Sequence, residues 1–581
     1  MDKNIDLVSL PKKSLWRLSL PLVLFYIFNS LYSMFDMVWV SQISVEAFYA
    51  LGISIPIVSL IFSFGDSIGR GTNSIMSRFI GSGDYENAYN SLIHGMIVAN
   101  VIWVILVLCL LFAQGILFTI DKADSYILIF DYLVPIVVFA YIFILTNLFS
   151  GTLQAEGNSK LPTILIIGTN VINIILDPIF IFNLNLGIKG AAYATVVAAC
   201  FSFIPLAYCY ITGKTKIPMS TKYFKFHTYI FVEIIKVAFP NILGEGLYCF
   251  LASFINTILT MAMGPAGPIL YSVTTKLRSL LIAPTKGFGA GLMSVTGHLF
   301  GAEKFDELND MFKYVLKILF IITLIVMPIF FIFRESIFGL FSITGMETEI
   351  FWIAIGATVI MLVLPCSLIC ARMLDGFGKS PYGLMLSVIG VVFEICLISV
   401  LFSFLSDGRC VLIGLVAGEI LISVLSYLYI RHLLNGFDRK YKGKTTVHRF
   451  HKHSKKASEG IEDKIDDVFE ENSPKVASKL PLILAIIAMI IIALEIISIP
   501  IKMHNYRLLI GGIASLIIGA ISIYLMEKLN KPRLSLVGFL GVSIVLLVFM
   551  GRYGYLPTLL FIVTGILLLY STKTIKMIKK K

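Results

Sequence analysis

The sequence predicts an all-α polytopic membrane protein: two six-helix lobes related by a pseudo-two-fold axis, plus about four further transmembrane helices at the C-terminal end. Three observations carry that prediction. The 581 residues are 57% hydrophobic and only 14% charged, with a mean hydropathy of +0.90, whereas soluble domains run about 25% charged. Apolar runs of about 20 residues, long enough to cross a hydrocarbon core as a helix, recur from residue 15 to 572. A glycine pattern in the second span returns in the eighth, about 220 residues later.

Spans are read near 15–40, 51–79, 86–112, 126–155, 161–182 and 189–212. A second set lies near 229–263, 268–299, 308–333, 348–374, 382–405 and 411–433. Four more follow near 480–499, 506–526, 534–550 and 556–571. The first is too long for a signal-peptide core and lacks a small-residue cleavage site, so it is expected to stay as a helix. An even number of spans puts both termini on one side. The charges agree: Lys12, Lys13 and Arg17 open the chain, Lys214, Lys216, Lys222 and Lys225 follow span six, and Lys573, Lys576 and Lys579 to Lys581 close it. All fall on the side the positive-inside rule makes cytoplasmic, so the expected place is the cell membrane with both termini inside. The net charge of +12 then reflects membrane topology and not nucleic-acid affinity.

The expected organisation is an N-terminal lobe (1–212), a cytoplasmic inter-lobe loop (213–228), a C-terminal lobe (229–435), a polar linker (436–478) and an extra four-helix membrane segment with a basic tail (479–581). The linker reads either as a short amphipathic helix or as a disordered tether. His448, His451 and His453 within it read as a solvated basic loop ahead of a metal site. Eight cysteines lie in or at apolar segments without a CxxC spacing, which makes them packing residues.

The repeat pairs Gly69 with Gly289 and Gly81 with Gly301. Gly157-Asn-Ser-Lys160 resembles Gly378-Lys-Ser-Pro381, and Pro21 has Pro240. Each lobe has six spans, so both share one orientation, and the axis between them runs along the membrane normal with a cavity at the junction.

One stretch carries the chemistry. Asn173-Ile-Ile-Leu-Asp177-Pro178 sets an amide and a carboxylate one turn apart on a helix otherwise rich in Ile, Leu, Phe and Val. A charge there costs roughly 2.5 to 3.5 kcal/mol or more, so a functional site is the default reading. Pro178 cannot donate to the carbonyl of Ile174, leaving that oxygen available to an ion or water.

These residues resemble the multidrug and toxic compound extrusion (MATE) family over about residues 10–435. The strings that carry the likeness are Leu20-Pro21 with Asp36, the glycine-rich end of span two, and Leu153-Gln-Ala-Glu-Gly157-Asn-Ser-Lys160. Asn173-x-x-x-Asp177-Pro178 and Gly187-Ile-Lys-Gly190-Ala-Ala-Tyr-Ala-Thr195 complete the set. Typical members lack residues 436–581. The resemblance implies twelve spans, a V-shaped cavity and export of organic cations in exchange for H+ or Na+. By motif it places a coupling site on Asp36, Asn173, Asp177 and Thr195, and looser matching offers Glu245 on span seven.

Two carboxylates, an amide carbonyl and a hydroxyl are oxygen ligands suited to a hard cation. The same set can work by protonation, because burial and a second carboxylate both favour the neutral acid. Asp66 and Arg70 read as a helix-surface ion pair or as a gating pair. Lys276 and Arg278 either face the cavity or pair with Glu245. Glu394 and Glu419 sit near the repeat positions of Asn173 and Thr195 and could form a second site or pair within the lobe. No Walker motif, nucleophile elbow or zincin motif is present, so the expectation is an ion-driven transporter and no enzyme, without a cofactor beyond its coupling ion. Expected partners are small organic cations and the bilayer. The alternative is a lipid-linked saccharide flippase of the related superfamily, whose basic cavity would draw on Arg70, Lys276 and Arg278.

Overall fold

A computed structural model describes residues 7–41, 45–120, 124–217, 224–264, 266–339, 345–405 and 407–441. The linker beyond 441, its histidines and the four spans read in 480–571 lie outside the described residues.

The apolar runs become helices α1 (Pro11–Ser41), α2 (Val45–Gly81), α3 (Tyr85–Ile120), α4 (Asp124–Val138), α5 (Ala140–Ala155), α6 (Lys160–Pro178) and α7 (Gly187–Ile211). After the loop come α8 (Thr228–Met263), α9 (Ala266–Leu281), α10 (Ala283–Gly301), α11 (Phe305–Ile332), α12 (Arg334–Gly339), α13 (Glu347–Gly376), α14 (Ser380–Leu405) and α15 (Arg409–Tyr441). Nine of the described helices are long and apolar enough to cross a membrane, or up to ten if the bent pair α4 and α5 is one span. This is a polytopic membrane protein. On α3 the residues Val101, Val104, Ile105, Leu108 and Leu111 fall on one stripe and all stay exposed, which gives lipid an apolar face. Helix α10 is not among the nine. It is rich in Gly, Ser and Thr and buried along nearly its whole length, so it touches protein and not lipid, and small residues serve it better.

Two runs read as single spans are broken. The fourth bends by 46° between α4 and α5, where the N–H of Phe139 reaches the carbonyl of Pro135 at 3.1 Å. Pro135 removes a ladder donor and crowds the preceding turn, the usual cause of a kink. The eighth breaks at Ile282, with a proline in the first turn of α10. The fifth span ends in a π-helical turn, Ile179–Asn183, directly after Pro178. The last described helix runs to Tyr441, past the end of the span read from its apolar run.

The helix ends repeat. After α5 the N–H of Asn158 bonds the carbonyl of Leu153 at 2.8 Å, and after α13 Lys379 bonds Leu374 at 2.8 Å. Gly157 and Gly378 supply the positive φ (85° and 74°) that such a C-terminal cap needs. The turns after α2 and α10 match in the same way, with Gly83 at φ 79° and Glu303 at φ 58°.

Helices α2 and α10 also cross reciprocally. A Cβ on Gly81 would lie 2.3 Å from the carbonyl oxygen of His298, and one on Gly301 would lie 2.1 Å from that of Arg78. Only glycine fits at either point. Around this crossing α1 packs on α10 and α6, α8 packs on α2, and α10 packs on α13. The two halves of the chain therefore meet on glycine-bearing helix faces.

Candidate functional site

Helix α6 turns Val171 and Ile175 outward, both about half exposed, and turns Asn173 and Asp177 inward, at 2% and 0% exposure. The amide Nδ2 of Asn173 donates to Asp177 Oδ1 at 3.1 Å and to Thr195 Oγ1 on α7 at 3.5 Å. The Thr195 hydroxyl donates to the carbonyl of Ala191 at 2.9 Å. Asn173 Oδ1 is buried with no hydrogen-bond partner among the described residues. Three of the four residues assigned to the coupling site are thus brought together. The fourth, Asp36, lies on α1, which packs against α6, but its side chain lies outside the described residues. The π-helical turn after Pro178 is locked by α7, since a Cβ on Gly190 would lie 2.6 Å from the carbonyl oxygen of Phe180. A cation that displaced the Asn173 amide hydrogens would meet a carboxylate and a hydroxyl oxygen, and Asn173 Oδ1 has no donor among the described residues.

A second set of charges ties the halves together. Arg70 forms an ion pair with Asp66 one turn away and also donates to Asn241 Oδ1 on α8 at 2.6 Å. Arg70 therefore points into the protein and does not snorkel along a helix surface. Asn241 in turn donates to Asp375 Oδ1 on α13 at 3.1 Å, and Arg372 approaches Asp375 Oδ2 at 3.4 Å. Ser74 donates to the carbonyl of Asp375. Toward the glycine crossing, Arg78 on α2 pairs with Glu233 on α8 at 3.0 Å, and Lys236 binds the same carboxylate. Asn73 and Ser294 bond across α2 and α10 at 3.0 Å.

In the second half Arg278 on α9 pairs with Glu419 on α15 at 3.0 Å and not with Glu245. Glu394 on α14 is packed against Gly418. Lys276 donates to Ser33 on α1 at 3.4 Å. Glu245 is exposed on α8, beside Gly244 and Gly246, which have open space at their Cβ positions. A cavity of about 560 Å³ opens among α8, α9, α11, α12, α13 and α15, with Tyr271, Arg278, Phe330, Trp352 and Asp407 in its wall.

Sequence reasoning missed Glu233, Asn241, Arg372 and Asp375. Their links across helices, Arg70 to Asn241, Asn241 to Asp375 and Arg78 to Glu233, join residues far apart in the sequence. The available signal was positional: Asp375 stands just before the repeated turn at Gly378.

Outside the spans, Glu156 follows α5. It accepts the backbone N–H groups of Lys216 at 2.9 Å and Ile217 at 3.4 Å, pinning the inter-lobe loop. Burial pushes its carboxyl up to about 7, and the two N–H donors only partly offset that.

A many-spanned helical bundle with buried ionisable clusters is the architecture expected of a membrane transporter. The MatE family profile matches residues 21–179 and again 242–400. The chain belongs to the MatE family, the multidrug and toxic compound extrusion transporters. It is 23% identical over 412 residues to an FAD transporter of Shewanella oneidensis, covering 68% of this chain and 89% of that protein. It is 24% identical over 377 residues to the multidrug export protein MepA of Staphylococcus haemolyticus, covering 63% of this chain and 79% of the relative. A solved structure described as MATE in the straight conformation superposes with a TM-score of 0.71 at 26% identity, covering 74% of this chain and 97% of that one.

Proposed function

We propose that the chain is a secondary antiporter that exports lipophilic, mostly cationic small molecules in exchange for H+ or Na+. The observation that carries this is the buried Asn173, Asp177 and Thr195 cluster, with an amide oxygen left open to a ligand. Asp36 on the adjacent helix completes the coupling site. Two lobes, 1–212 and 229–435, work by alternating access around the crossing of α2 and α10, with both termini in the cytoplasm. The matched turns, the reciprocal glycine contacts and the doubled family match support that symmetry. The Asp66 and Arg70 pair acts as a gate element, since it joins α2 to α8 through Asn241. The lipid-linked saccharide flippase reading finds no support among the relatives named above.

One observation favours a second substrate class. Tyr26, Asp66, Arg70 and Arg372 line one pocket, and Lys286 lies 5.8 Å from the Tyr26 ring centre. A flat anion such as the FAD named in the Shewanella relative would find charge and stacking together there.

The test is efflux of ethidium and of FAD from cells carrying wild type, Asp36→Asn or Asp177→Asn, under separate proton and sodium gradients. Export of dye by wild type alone supports the proposal, and the gradient that sustains it names the ion. Export of FAD without dye moves the second class to the front. No export of either overturns both.

A further inference from the structure

The second half of the chain holds a buried acid that the coupling site does not use. Glu394 is 2% exposed, and its Oε2 has no hydrogen-bond partner among the described residues. The charged and titratable groups that face it are Glu419 on α15, Arg278 and Tyr271 on α9, and Tyr248 on α8. Only one of these is a cation, and its guanidinium is already engaged with Glu419 Oε1 at 3.0 Å. Two carboxylates and one guanidinium in an apolar surround cannot all be charged without one uncompensated buried charge. Glu394 is the acid without a salt bridge.

Its place in the chain is not arbitrary. The family profile begins at residue 21 and again at 242, and that register sets Glu394 on α14 where Asn173 stands on α6. The first half has an amide there and the second half an acid. Arg278 also forms part of the wall of the cavity of about 560 Å³, so one partner of the ion pair borders that space.

We propose that Glu394 is a proton-binding site of the second half, holding a proton while Arg278 is paired with Glu419. Release of that proton to water leaves two carboxylates competing for Arg278. The guanidinium is then shared between α14 and α15, and α9 is drawn with it. A proton suits this site better than a metal cation, because a metal ion here would lie beside a guanidinium. The inference deepens the ion-exchange reading above. Its test needs no transport, so the two can fail separately.

The experiment is infrared difference spectroscopy of the full chain in lipid, titrated from about pH 5 to about pH 9. The signal is the carbonyl stretch of a protonated carboxyl group. Wild type is expected to show a band at neutral pH that is lost on alkaline titration and is absent from Glu394→Gln. Glu419→Gln frees Arg278 to pair with Glu394, so the Glu394 band should then be lost at a pH at least about one unit lower. A wild-type band that persists unchanged in Glu394→Gln overturns the proposal. So does a titration that Glu419→Gln leaves in place.

Discussion

Asn173 uses its amide hydrogens on Asp177 and Thr195, and its oxygen has no donor among the described residues. A buried carbonyl in that state costs about 1–3 kcal/mol, and an ion that filled the gap would recover it. Asp177→Asn therefore separates function from structure. It removes a buried charge, so the thermal midpoint is expected to hold or rise, while gradient-driven efflux falls roughly tenfold or more. Loss of both together would mark the cluster as a structural lock. Glu156 gives a second residue-level outcome. Its carboxyl sits at about 7 in the folded chain against an ordinary 4.5, so the folded state binds this proton more tightly than the unfolded state. Stability should fall as pH rises from about 4.5 through about 7 and then level off. Glu156→Gln should flatten that part of the midpoint-against-pH curve. The Asn173 and Asp177 pair was legible in the sequence because i and i+4 share a helix face. The links of Asp375 across helices were not, because Asn241 and Ser74 come from other spans.

At the level of helices, the apolar runs located nine described helices long and apolar enough to cross a bilayer, or up to ten with the bent α4 and α5 pair. Their breaks were less visible. Pro135 sits inside an uninterrupted apolar run, and composition does not say whether a proline kinks a span or ends it. The π-helical turn after Pro178 was likewise read as plain helix. The glycine repeat, by contrast, foretold where backbones touch. Gly81→Ala and Gly301→Ala each push a methyl group into a carbonyl oxygen of the facing helix. Each is expected to cost about 1–3 kcal/mol, read as a lower thermal midpoint in detergent, whereas Gly83→Ala should act through its positive φ alone. Glu303, held at φ 58° where its sibling turn has glycine, offers the reverse change. Glu303→Gly should raise the midpoint slightly, by about 0.5–1 kcal/mol in stability.

For the molecule as a whole, the ties between the halves gather around α2, α8, α10 and α13, and the pair of Arg78 with Glu233 is the most buried ion pair among them. Glu233→Gln leaves Arg78 and Lys236 with a neutral partner, a change that costs roughly 3 kcal/mol or more in a buried setting. Cysteines placed beside the glycine crossing should then react faster with a water-soluble thiol reagent; an unchanged rate would mean that this pair does not hold the halves together. Exchange is the core of the proposed mechanism: substrate moves one way because an ion moves the other. The direct measurement is ion flow in liposomes holding the purified chain, with ethidium added on one side and internal pH and sodium followed separately. Ethidium entry is expected to drive protons or sodium outward in wild type, and Asp177→Asn to abolish the flow. Ethidium crossing with no movement of either ion would contradict the mechanism.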